Sequence, residues 1–79
     1  MIYCRLVSSD HNSATYNFGL RTDDLSGIVI FYKERIEPEV VKLPSQGERA
    51  ILWLSKLNAC HRGDFSKGIF KEKLSYECG

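Results

Sequence analysis

A chain of 79 residues makes a single domain, and at that length only about 60% of the unfolded surface is buried on folding, so the core is thin. Hydrophobic residues at 43% and charged residues at 27% are ordinary for a globular protein, which argues against both a disordered segment and a membrane protein. Eleven Lys and Arg against ten Asp and Glu leave a formal net charge of +1, too little for a global field that draws the chain to nucleic acid or an anionic membrane, so any electrostatic partner must be met by a local patch.

Residues 2–7 alternate, with Ile2, Cys4 and Leu6 on one side and Tyr3, Arg5 and Val7 on the other, the period-two pattern of a strand. The polar run from Ser8 to Ser13 breaks it as a loop. A second alternating run sets Ala14, Tyr16, Phe18 and Leu20 on one face and Thr15, Asn17 and Gly19 on the other, a strand with one dry side. Asp23, Asp24 and Gly27 mark the next turn. Ile28, Val29, Ile30, Phe31 and Tyr32 are apolar at every position, which predicts a strand in the middle of the sheet. After the charged turn Lys33-Glu34-Arg35, residues 36–43 predict a fourth strand, placed near an edge because Pro38 lacks a ladder donor.

Ser45-Gln46-Gly47-Glu48 matches the S-x-x-E capping box and predicts the start of a helix. Ala50, Trp53, Leu54, Leu57 and His61 fall on one stripe of that helix, and Gly63 after Arg62 predicts its end. Leu74, Tyr76 and Cys78 alternate with Ser75 and Glu77 as a short last strand. The expected fold is α+β over residues 1–79: a four- or five-stranded antiparallel sheet with one amphipathic helix packed across one face, in the order β-β-β-β-α-β.

Three cysteines, Cys4, Cys60 and Cys78, leave one unpaired under any disulfide scheme, which points to a reducing compartment and the cytoplasm. No signal peptide and no membrane span are expected, because the apolar run at residues 1–7 is broken by Arg5 and no stretch approaches the ~20 apolar residues of a span. Cys4, His11, Cys60, His61 and Cys78 lack the paired spacing of a zinc site, and the glycines never gather as a phosphate cradle. Asp10, Asp23 and Asp24 read as turn residues. No catalytic residue, metal or cofactor is therefore expected. Cys78 could serve as an exposed thiol near the chain's end.

The feature of most consequence is width. A helix with its side chains is ~10–12 Å across, whereas strands ~4.8 Å apart make a sheet about twice as wide, so one helix leaves apolar sheet surface uncovered. Such surface usually marks a partner site. The leading expectation is a non-enzymatic protein-interaction or regulatory module that self-associates as a homodimer, with Tyr3, Phe31, Leu52 and Trp53 as interface residues. The alternative is a small nucleic-acid-binding domain that uses the C-terminal basic segment, with Lys67, Lys71 and Lys73 as phosphate contacts near Phe65 and Phe70.

Overall fold

The computed structural model describes residues 1–77. Strands β1 (Ile2–Ser9), β2 (Ser13–Gly19), β3 (Gly27–Tyr32) and β4 (Glu39–Lys42) come first, followed by helix α1 (Arg49–Ser66) and strand β5 (Lys73–Tyr76). All five strands join one sheet in the order β4-β3-β2-β1-β5, with every neighbouring pair antiparallel. The expected α+β architecture is thus present, with β1 to β4 as a meander and β5 returning beside β1. No helix among the described residues is long and apolar enough to cross a membrane.

Alternation decides which side of each strand is dry. Ile2, Cys4, Ala14, Tyr16, Phe18, Val29, Phe31 and Leu74 point to one face and are buried there against Ala50, Leu54, Leu57 and Phe65 of α1. Aromatic rings form the centre: Phe65 stacks on Phe31 at 4.8 Å and on Phe70 at 5.5 Å, and Tyr16 meets Phe31 edge-on at 5.5 Å. The Tyr16 hydroxyl donates to the Lys71 carbonyl at 2.6 Å, which satisfies its one polar atom inside the core. Across the β2–β3 ladder Phe18 faces Gly27, where a Cβ would stand 2.6 Å from the Phe18 ring, so the missing side chain is the space that the ring fills.

Four expectations need correction. The middle strand is β2, and β3 lies one place in from the β4 edge. The continuous apolar run of β3 reflects a dry face at Val29 and Phe31 and a half-buried opposite face at Ile28 and Ile30. The fourth strand is shorter than residues 36–43, because residues 33–38 form a turn strapped to the helix. The capping box does not form: Glu48 stands at the N-cap with no side-chain cap bond, while the Ser45 hydroxyl donates to the Asp24 carboxylate and Gln46 Nε2 reaches the same carboxylate at 3.2 Å. The S-x-x-E segment is spent on holding the β2–β3 loop. Finally, α1 runs through Gly63 to Ser66 and stops where Gly68 adopts φ 75°. Burying Phe65 in the last turn outweighs the ~1 kcal/mol helix penalty of one glycine.

The turn between β3 and β4 is tied to α1 by two side chains. Arg62 Nη1 donates to the Arg35 carbonyl at 2.7 Å, Arg62 Nη2 donates to the Lys33 carbonyl at 3.0 Å and to that of Tyr32, and Asn58 Nδ2 donates to the Ile36 carbonyl at 2.6 Å. The Asn58 Oδ1 is buried without a partner among the described residues.

Candidate functional site: the open face of the sheet

The face opposite α1 is read directly from the strand register. Arg5 lies opposite Asn17 and Lys73, Asn17 opposite Ile28, and Ile28 opposite Lys42. One row therefore crosses all five strands as Lys42, Ile28, Asn17, Arg5 and Lys73, about 19 Å from edge to edge at ~4.8 Å per strand. The rows beside it carry Glu39, Ile30 and Thr15 on one side and Tyr3 and Ser75 on the other. Irregular pairing at Val7 and Val41 adds two exposed apolar side chains to the strands. The centre of this face is half-buried and its ends are charged.

Two cations stand directly opposite each other at the β1–β5 end. Like charges in register on paired strands repel, so Arg5 facing Lys73 is a local cost. Among the described residues the ion pairs are Arg21 with Asp23 at 2.9 Å and Lys71 with Asp64 at 3.5 Å, and neither involves Arg5, Lys42 or Lys73. An anionic group placed between them would relieve the repulsion. A groove of about 350 Å³ opens there, lined by Tyr3, Arg5, Lys73 and Ser75 of the strands and by Thr22 and Leu25 of the β2–β3 loop. Asp24 fixes that loop. The hydroxyls of Ser45 and then Ser26 donate to its carboxylate and hold it below the usual carboxylate range.

The residues expected to form a site separate in space. Tyr3 lies on the open face, Leu52 is 66% exposed on α1, and Trp53 is half-buried against the Tyr76 ring at 6.2 Å. Phe31 has to be withdrawn as an interface residue: it is 0% exposed between Tyr16 and Phe65, on the helix side of β3, where no partner reaches it. The basic segment also divides. Lys67 caps α1, Lys71 pairs with Asp64 of α1, and Lys73 alone reaches the open face. Arg5 and Lys42, its companions there, were missed. Their signal was a cation at the polar position of an alternating strand, which carries meaning only once the register puts the three in line.

The described thiols and imidazoles do not converge either. Cys4 is buried under α1 and Cys60 is exposed on it, His11 lies in the β1–β2 turn, and the His61 ring approaches the Ser75 carbonyl at 3.4 Å. Among the described residues no three His, Cys, Asp or Glu side chains gather as a metal site. Asp10 accepts from the backbone N–H groups of Asn12 and Ser13 at 2.8 and 2.9 Å, which pulls its carboxyl below its ordinary range and identifies it as a turn residue. Cys78 lies outside the described residues.

Comparison with protein-family models, with curated proteins and with solved structures finds no match for this chain.

Burial pushes the Cys4 thiol up to about 12. Cys60 is expected to react with iodoacetamide in the native protein while Cys4 stays unmodified until the sheet unfolds, as peptide mass spectrometry would show. Between its unfolded value near 9.0 and about 12, the native thiol keeps a proton that the unfolded one has lost. Stability should therefore fall as pH rises through that window, and a Cys4→Ala variant whose loss of stability between pH 8 and 11 is as steep as that of the parent would contradict the assignment.

Proposed function

We propose that this chain is a non-catalytic binding module that takes an extended anionic partner across the open face of its sheet. The observation that carries the reading is the row of Lys42, Arg5 and Lys73 across the strands, with no acidic side chain in ion-pair contact among the described residues. Half-buried Ile28 within the row and Ile30 beside it supply apolar contact, and Asn17 supplies a carboxamide in its middle.

A homodimer through the same face draws support from its apolar centre. It meets an electrostatic objection: two such faces set Arg5, Lys42 and Lys73 against three more cations, with Glu39 as the one acid in the paired register to offset them. An anionic partner removes the objection and turns the repulsion into attraction. The basic segment first read from the sequence contributes Lys73 to this surface, and Lys67 and Lys71 lie outside it.

The test is retention on immobilised heparin, a generic polyanion. The parent protein should be retained at low salt and eluted by higher salt. The triple variant Arg5→Gln/Lys42→Gln/Lys73→Gln should run near the void volume, whereas Lys67→Gln/Lys71→Gln, which removes one charge fewer, should still be retained. Equal retention of the two variants, with circular dichroism unchanged, would remove the open face as the anion site.

A further inference from the structure

We infer that the anionic partner is a single-stranded nucleic acid, and that one of its bases stacks on the Tyr3 ring in the groove between β1, β5 and the β2–β3 loop. This rests on the reading of the open face as an anion-binding surface and adds what fills it. Two tyrosines stand on that face. Tyr32 is occupied: its hydroxyl donates to Glu39 at 2.6 Å and the Arg35 guanidinium lies 5.3 Å from its ring. Tyr3 is half-buried, its hydroxyl donates to Met1 Sδ at 2.6 Å, and it borders two hollows: the groove of about 350 Å³ it shares with Arg5 and Lys73, and a second one it shares with Met1, Leu20, Arg21, Thr22 and Asp23.

The surroundings suit a nucleotide rather than a bare anion. Leu25 gives the groove an apolar wall, Thr22 and Ser75 offer hydroxyls to a sugar or base edge, and the two cations stand where a phosphodiester would pass. An aromatic side chain that stacks a base beside cations that track the backbone is how sequence-tolerant single-strand sites are built. A duplex keeps its bases paired and stacked inside, out of reach of a ring on a flat sheet. The row from Lys73 to Lys42 spans about 19 Å, which suits the short end of the ~4–16 nucleotides that one small domain covers.

The experiment is fluorescence anisotropy with a labelled oligothymidylate of about 12 nucleotides, run beside heparin retention. With three phosphate contacts, affinity should fall roughly 20-fold between ~50 and ~200 mM salt. Tyr3→Leu should weaken oligothymidylate binding about tenfold, and Tyr3→Phe should restore it. Arg5→Gln/Lys73→Gln should weaken both. In the unsubstituted protein, adding the oligonucleotide should shift the nuclear magnetic resonance signals of Tyr3, Leu25 and Ser75, a readout that does not depend on any variant folding. Full affinity in a folded Tyr3→Leu, or shifts confined to α1, would overturn the stacked base; loss of heparin retention in Arg5→Gln/Lys73→Gln would then still leave the anion-binding face standing. Equal or tighter binding of the matching duplex would also overturn it. Parent protein that binds neither probe would overturn both readings, and a stable dimer whose open face is protected from hydrogen exchange would point to a second copy instead.

Discussion

Phe65→Ala should lose about 3–5 kcal/mol of stability, a large part of the ~4–12 kcal/mol that a domain of 79 residues has in total. The ring is 0% exposed and lies between Phe31 and Phe70, so its removal deletes contacts on both sides and leaves a cavity that neither neighbour can fill without leaving the stack. The loss should spread beyond the cavity. Phe65 holds the last turn of α1 on the sheet, and without it Gly63 becomes the natural end of the helix. Urea unfolding followed by Trp53 fluorescence, together with helix content from circular dichroism, would check both parts. A midpoint shift worth less than ~1 kcal/mol would show that the ring does not hold the end of α1 on the sheet.

Arg62→Met should cost about 2–3 kcal/mol and loosen β4. The guanidinium donates to carbonyls of Tyr32, Lys33 and Arg35, and methionine keeps much of the aliphatic stem while removing every donor. Those carbonyls would turn to water, and the strap from α1 to the β3–β4 turn would rest on the single bond from Asn58 to Ile36. Arg62→Lys should recover less than half of the loss, because one ammonium cannot span carbonyls three residues apart as a planar fork does. Amide exchange should quicken at residues 33–40 before it does in β1 and β2. Protection unchanged in that segment would mean that the turn holds itself.

The expected fold was legible because alternation at residues 2–7 and 14–20 and a stripe at Ala50, Leu54 and Leu57 leave few ways to bury the same atoms. What escaped were choices made by tertiary contact. Nothing local says that Ser45 will serve Asp24 rather than the helix it precedes, or that Phe65 will carry α1 past Gly63. The β3 run shows the same limit, since an apolar side chain reads alike whether a helix covers it, as at Phe31, or its strand neighbours half shield it, as at Ile30. The candidate site was legible only in outline. Width arithmetic predicted an open face, but Arg5, Lys42 and Lys73 are far apart in sequence and become one row only through strand order, which the chain encodes nowhere locally.

The pairing of β5 with β1 joins residues 73–76 to residues 2–5. Until β5 has left the ribosome, the outer edge of β1 therefore carries unsatisfied backbone groups, available to any passing strand. Synthesis delivers β1 first and its guardian after every other strand and the helix, so this molecule completes its sheet late and depends on a quick finish to avoid pairing with a stranger.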